Sequence, residues 1–247
     1  MKKFGLIGYP LSHSFSKNYF SEKFSREGIT DCSYENFPIS DISGLTKILA
    51  DNPELCGLNV TIPYKEKVLD FLDEADPVVT ALGACNCLSI REGTITGYNT
   101  DVTGFRLSLL ERLHPHHRPA LILGEGGAAK AVQYVLNELD IPFKTVSRKL
   151  NEELGWIPYT SLDEAMIREH KLIINCTPVG TFPNIEDFPP IPYEGIGSAH
   201  YLFDLIYNPA KTAFLQKGEE RGALICNGLK MLIIQAEESW KIWSPES

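Results

Sequence analysis

Ala120-Leu-Ile-Leu-Gly-Glu-Gly-Gly-Ala-Ala129 is the stretch whose reading decides the fold. Ala120 to Leu123 is apolar and short, as a buried strand is. The residues after it place Ala128, Ala131, Val132, Val135, Leu136 and Leu139 on one face at the 3.6-residue period of a helix. Phe143 to Ser147 then reads as a second strand. A glycine motif alone is weak evidence, but strand, glycine turn, helix and strand in this order predict a dinucleotide-binding fold. Gly124 allows the tight turn, Gly126 lets a pyrophosphate approach the backbone, and Ala129 meets the need for a small residue where helix and strand pack closely. The helix N-terminus supplies the anion seat. At the end of the second strand an NAD site usually carries Asp or Glu for the ribose 2′-hydroxyl. Here the chain reads Val146-Ser-Arg-Lys149, and two cations with a hydroxyl suit a 2′-phosphate, which favours NADP.

Toward the C-terminus, Leu172 to Asn175 reads as another buried strand. The loop Cys176-Thr-Pro-Val-Gly180 at its carboxyl end is expected to border the cofactor. Strands over Tyr201–Asp204 and Leu224–Cys226 follow, with a helix from about Lys211 to Arg221 between them and a final helix after Gly228. Toward the N-terminus, strands over Lys3–Ile7, Cys32–Phe37 and Gly57–Val60 are each followed by a helical stretch, the third over Lys65–Phe71. Three such units imply a parallel sheet. Gly83–Leu88 and Thr94–Tyr98 read as two short strands joined by a hairpin-like turn at Arg91-Glu-Gly93.

Polar residues stand out in this first part. Asn59 and Thr61 share a face of an extended segment, Pro63 stops the ladder, and Lys65 sits just past the break. Taken alone, that lysine reads as a solvated side chain more readily than as an active-site one. Ser14 and Ser16, at the start of a helix running to about Arg26, read either as an N-cap or as a seat for a carboxylate. Asn86 must satisfy a neighbouring backbone or a ligand, and Asp101 in Asn99-Thr-Asp101 caps a helix or serves a site. His114-Pro-His-His-Arg-Pro119 reads as a connector and not as a metal site, because two prolines interrupt it and no carboxylate accompanies it.

Composition narrows the class. The 247 residues suit one large or two ordinary domains, and 43% apolar content is enough for a core in each of two halves. A formal charge of -9 argues against general binding to nucleic acid or anionic membranes. Six cysteines without CxxC or zinc-ligand spacing read as reduced packing residues. With no signal peptide or membrane-spanning run in view, a cytoplasmic protein is expected.

The motifs together resemble the shikimate dehydrogenases across nearly the whole chain. The resemblance rests on Gly8-x-Pro10-x-x-His13-Ser14-x-Ser16, Asn59-Val-Thr-x-Pro-x-Lys65, Asn86 after Gly83-Ala, and Gly97-x-Asn-Thr-Asp101. It continues through Gly124-x-Gly-Gly-Ala128, Asn175-x-Thr-Pro-x-Gly180, Asp204-x-x-Tyr207-x-Pro209 and Gly228-x-x-Met-Leu-x-x-Gln235. It implies an α/β chain of two domains with the active-site cleft between them. One is an α/β substrate domain with a mostly parallel sheet, residues 1–100 with 229–247. The other is a Rossmann-type NADP-binding domain, residues 101–228.

By resemblance Lys65 and Asp101 are catalytic and meet across the cleft floor. Ser14 and Ser16 bind the substrate carboxylate, Asn59, Thr61, Asn86, Asp101 and Gln235 hold ring hydroxyls, and Tyr207 is a further substrate contact. Gly124, Gly126, Gly127, Ala128, Ser147, Arg148, Lys149, Thr177 and Gly228 contact NADP, and no metal is implied. The implied reaction is reversible NADPH-dependent reduction of 3-dehydroshikimate to shikimate, by a monomer or homodimer whose partners are small molecules. An NAD-dependent quinate/shikimate dehydrogenase and a non-catalytic sensor on the same scaffold are the alternatives. Three positions depart from the family pattern: Glu125 inside the glycine turn, Lys17 near the carboxylate seat, and Ser147-Arg-Lys149 in place of Asn-Arg-Thr.

Overall fold

The computed structural model describes residues 1–11, 15–148, 151 and 153–244. The chain divides into two compact units, residues 1–100 with 236–247 and residues 101–235. The division falls inside the last helix, between Gln235 and Ala236.

The first unit is built on β1 (Lys2–Gly8), β2 (Cys32–Pro38), β3 (Leu55–Val60), β4 (Glu74–Ala75), β5 (Cys87–Arg91) and β6 (Thr94–Tyr98), in the order β2-β1-β3-β5-β6-β4. Helices α1 (Phe15–Glu27), α2 (Gly44–Asp51) and α3 (Pro77–Leu82) accompany them. β1 pairs parallel with β2 and β3, as the strand–helix alternation predicts. β5 then runs antiparallel to β3 and to β6, so the sheet is mixed. The hairpin turn at Glu92-Gly93 has positive φ at both residues (51° and 82°), the geometry that matches the twist of the strands it joins.

Some local expectations are corrected. The helix expected over Lys65–Phe71 is a 3-10 turn over Lys67–Phe71, because Tyr64 and Lys65 are held in place by longer-range bonds described below. The strand expected from Gly83 begins at Cys87, since Gly83, in the left-handed region, closes α3. α3 itself carries ordinary signals, Asp76 accepting from the Val78 N–H and Pro77 in the first turn.

Two apolar clusters fill this unit. One gathers Ile7, Leu45, Leu58, Tyr64, Val68 and Leu88. The other is aromatic: Phe4 stacks on Trp243 at 4.9 Å and Phe20 on Tyr34 at 4.6 Å. The Trp243 indole N–H donates to the Leu88 carbonyl at 2.9 Å, tying the end of the last helix to the sheet.

The second unit carries β7 (Ala120–Leu123), β8 (Phe143–Ser147), β9 (Ile157–Pro158), β10 (Leu172–Asn175), β11 (Tyr201–Asp204) and β12 (Leu224–Cys226) in the order β12-β11-β10-β7-β8-β9, every pair parallel. Its helices are α4 (Thr100–Leu110), α5 (Gly127–Glu138), α6 (Glu164–Glu169), α7 (Ala213–Glu219) and α8 (Leu229–Trp243), α4 and α8 each including residues of the first unit. The chain moves from β7 outward to β8 and then back to β10 on the other side. The carboxyl ends of β7 and β10 therefore flank the switch point of a doubly wound sheet.

The histidine connector packs into this unit. His117 is buried with its ring 5.3 Å from that of Tyr201, and its Nδ1 accepts the His114 N–H at 3.1 Å. Burial first, and then His116, His114 and His200, lower its pKa from 6.5 to about 4. Between those values the unfolded chain binds a proton that the folded chain does not, so stability falls as pH drops from about 6.5 toward 4. His117→Asn keeps an acceptor for His114 and removes the titrating ring. Urea unfolding at pH 7 and pH 4.5 should show a smaller loss in the variant, and equal losses would refute the assignment.

Candidate active site

In the first unit, the candidate site stands at the end of β3. Asn59 is 4% exposed, and both ends of its amide join a chain of polar groups. Its Oδ1 accepts the Tyr34 hydroxyl at 2.9 Å, and its Nδ2 donates to Ser239 Oγ at 2.8 Å and to the Asn86 carbonyl at 3.4 Å. Ser239 Oγ lies 3.3 Å from Thr100 Oγ1. Asn86 Oδ1 accepts the Thr100 N–H at 2.7 Å, and its Nδ2 donates to Thr100 Oγ1 at 3.1 Å.

Asn86 thus satisfies one of the N–H groups that the start of α4 leaves without a helical partner. The backbone role open to it in sequence terms is filled, and it fixes the backbone immediately before the buried Asp101. Sequence reading missed Tyr34, Thr100 and Ser239 as members of this network. Thr100 carried a signal, inside Asn99-Thr-Asp101, and so did Ser239, one helical turn beyond Gln235 on the same face of α8.

Lys65 stands on a rigid stalk. Tyr64 is 2% exposed, sits in the core and donates its hydroxyl to the Ile39 carbonyl at 2.6 Å, while the Lys65 carbonyl accepts the Cys85 N–H at 2.7 Å. The Lys65 side chain begins from these fixed points and is half-buried. Thr61, also half-buried, bonds through its backbone to Ile7 and Tyr64. Ser16 is buried near the start of α1 and hydrogen-bonds Tyr34, whose phenol burial pushes far up. Ser14 lies outside the described residues. Lys17 forms a half-exposed ion pair with Glu35 at 2.6 Å.

In the second unit the glycine turn has the geometry a dinucleotide needs. Gly124 adopts φ +105°, and a Cβ there would lie 3.0 Å from Thr177 Cγ2. Around Gly126 a Cβ would meet nothing within 4 Å, which leaves an open cradle at the first turn of α5. Gly126 caps α5 without a side-chain bond, so Gly127 and Ala128 open the helix with backbone N–H groups that a phosphate can take.

Ser147 ends β8 and is buried, and Arg148 beside it is exposed. Lys149 lies outside the described residues. The Tyr159 phenol, just past β9, is pushed up to about 12 by burial, drawn down by Arg148 and raised further by Cys176 and Glu125. Both the Glu125 and Arg148 charges thus lie within electrostatic reach of this tyrosine.

Thr177 donates its N–H and its hydroxyl to Asn175 Oδ1 at 3.0 and 2.6 Å. Gly228 is buried, donates to the Ile206 carbonyl at 3.0 Å, and packs so tightly on Leu205 that no side chain fits. Tyr207 is half-buried and its phenol is raised by burial. Gln235 is buried and donates to the Leu232 carbonyl at 3.0 Å.

Among the described residues no cluster of three His, Cys, Asp or Glu is arranged to hold a metal, and no helix is long and apolar enough to cross a membrane.

The family model of the shikimate dehydrogenase substrate binding domain matches residues 6–88. A shikimate dehydrogenase (NADP(+)) of Ignicoccus hospitalis is 37% identical over 97% of this chain and 92% of its own length. The chain belongs to the shikimate dehydrogenase family. A Staphylococcus aureus shikimate dehydrogenase (NADP(+)) is 36% identical over 98% of this chain and 92% of its own. Among solved structures, the shikimate 5-dehydrogenase of Thermus thermophilus, in complex with NADP(H) and shikimate, matches with a TM-score of 0.87 at 30% identity. That match covers 100% of this chain and 94% of the other. The family match thus spans both units, from the Asn59–Asn86 network to the glycine turn.

Proposed function

We propose that the chain is a shikimate dehydrogenase that reduces 3-dehydroshikimate to shikimate with NADPH, reversibly. The observation that carries this reading is the joint presence, in a family member that matches its relatives over both units, of two sets of site residues. One unit offers the open glycine cradle with a cation at the end of β8. The other offers Lys65 on a fixed stalk beside the Asn59–Asn86 network.

NADPH fits this second unit, where Gly124, Gly126, Gly127 and Ala128 would hold the pyrophosphate and Ser147, Arg148 and Lys149 the 2′-phosphate. Thr177 and Gly228 would border the rest of it. Bound there, it supplies the hydride. This chain's own residues do the remainder. Ser14 and Ser16 hold the substrate carboxylate. Asn59, Thr61, Asn86 and Gln235 hold ring hydroxyls, with Tyr207 as a further contact.

As the C3 carbonyl is reduced, negative charge develops on its oxygen. Lys65 stabilises that charge and gives the proton, and in the reverse direction Lys65 takes it. Asp101 fixes the ring for this transfer. The amide network of Asn59 and Asn86 is set before substrate arrives, so little reorganisation is needed. We place the enzyme in the cytoplasm, as a monomer or homodimer.

The test is direct. Purified protein given shikimate and NADP+ should form reduced dinucleotide, measured by absorbance, faster than with quinate in place of shikimate or NAD+ in place of NADP+. No NADPH from a preparation that melts cooperatively would refute the reading.

A further inference from the structure

A carboxylate outside the assigned site residues ties together the loops that flank the switch point of the second sheet. Asp204, the last residue of β11, is 0% exposed. Its Oδ1 accepts Asn175 Nδ2 at 3.0 Å and the Ile206 N–H at 3.1 Å, and its Oδ2 accepts the Thr212 hydroxyl at 2.6 Å.

Each partner leads toward the glycine turn or the end of the sheet. Asn175 turns its Oδ1 to Thr177, accepting both its N–H and its hydroxyl, and Thr177 Cγ2 packs on Gly124 where the pyrophosphate turn begins. Ile206 lies in the turn whose Leu205 abuts Gly228 and whose own carbonyl accepts the Gly228 N–H. Thr212 caps α7 by accepting the Leu215 N–H at 3.3 Å.

We propose that Asp204 is a positioning residue for the cofactor seat, holding Thr177 and Gly124 through Asn175 and holding the Leu205–Tyr207 turn against Gly228. The proposal rests on the NADP-dependent reading above.

Stability does not account for a charge at this place. Burial raises the Asp204 pKa from 3.8 to about 6, against the bonds from Thr212, Ile206 and Asn175 that lower it. The folded state therefore binds a proton that the unfolded chain has released. Asp204's contribution is most favourable below 3.8 and is lost as pH rises through about 6. At neutral pH the fold carries an ionised group that an asparagine would spare it. What the carboxylate adds is geometry, since it alone accepts all three donors at once. Among the described residues, its charge acts on the Cys176 thiol and the Tyr193 phenol. Both are raised, by burial first, and stay protonated through this range.

The experiment measures NADP+ binding to the whole chain by calorimetry, without substrate, at pH 5.5 and pH 7.5. It compares the unaltered chain with Asp204→Ala and Asp204→Asn, and melting curves are recorded for each. Asp204→Ala should weaken NADP+ binding by roughly 3–30-fold, the range for residues that act through neighbours. KM for NADP+ should rise in step while KM for shikimate stays within about 3-fold, since the altered loops belong to the cofactor seat.

Asp204→Asn, which keeps the Oδ1 contacts, should bind more weakly at pH 7.5 with Tm no lower than that of the unaltered chain. It should also lose the part of the pH dependence that Asp204 supplies. The 2′-phosphate of NADP+ titrates alike in every sample, so the difference between slopes reads Asp204. NADP+ affinity and pH slope unchanged in both variants, or in the asparagine variant alone where alanine prevents folding, would overturn the proposal. No NADP+ binding by the unaltered, folded chain would instead overturn the cofactor reading beneath it, and the proposal with it.

Discussion

Replacing Lys65 with alanine is expected to lower kcat by roughly 10²–10⁴-fold, the usual contribution of a positioned acid–base group, with a much smaller change in KM for shikimate. The structure makes this a clean experiment. The bonds that hold the stalk run through the Tyr64 hydroxyl and the Lys65 carbonyl, and neither involves the lysine side chain. Alanine keeps both, so the variant should still fold, its melting curve checks that directly, and the lost rate of a folded variant can be read as lost chemistry. Equal loss in kcat and kcat/KM marks an interaction made in the transition state alone. A variant with kcat unchanged would remove Lys65 from the reaction.

Why Lys65 was readable and its supports were not comes down to sequence distance. The glycine turn, its flanking strands and the hairpin at Glu92-Gly93 are local, so each carries its own composition signal. Lys65 gains meaning from Asn59, Thr61 and Pro63 within a few residues. The Tyr34–Asn59–Ser239–Thr100–Asn86 network joins distant parts of the chain, and Asn59 meets Ser239 across 180 positions. No periodicity reports that. Asp204 is harder still: Tyr-Leu-Phe-Asp reads as a buried strand with a polar end, and nothing local says that the end is buried too.

The short elements failed for another reason. β4 and β9 are two residues each, below any repeat of the alternating pattern. The α3 signals, Asp-Pro at its start and Gly83 at its end, were present but bound only six residues.

The asparagines show how the two kinds of reading join. On local grounds Asn86 was open between backbone and ligand, and the structure places its amide on Thr100. A group committed to the backbone in this way is also a group whose orientation is fixed. The bland and functional readings of such a residue are compatible: the same bonds that satisfy it also preorganise it.

Arg148→Ala is expected to weaken NADP+ by roughly 10–100-fold, the worth of a hydrogen bond to a charged group, and to leave NAD+ nearly unchanged. The expectation follows from the end of β8. Ser147 is buried as the last residue of the strand, which leaves Arg148 as the exposed cation immediately beyond it. A ribose 2′-phosphate brings negative charge to that place and a 2′-hydroxyl does not, so only NADP+ should feel the loss. Glu125 sharpens the contrast. Its carboxylate and the Arg148 guanidinium both act on Tyr159, with opposite signs, so removing the arginine shifts the local balance toward negative charge near this end of the sheet. The further variant Arg148→Ala with Glu125→Ala should therefore recover part of the NADP+ affinity. Steady-state KM for the two dinucleotides, measured at saturating shikimate, decides it. An equal loss for NAD+ and NADP+ would mean that Arg148 supports the loop and does not select the cofactor.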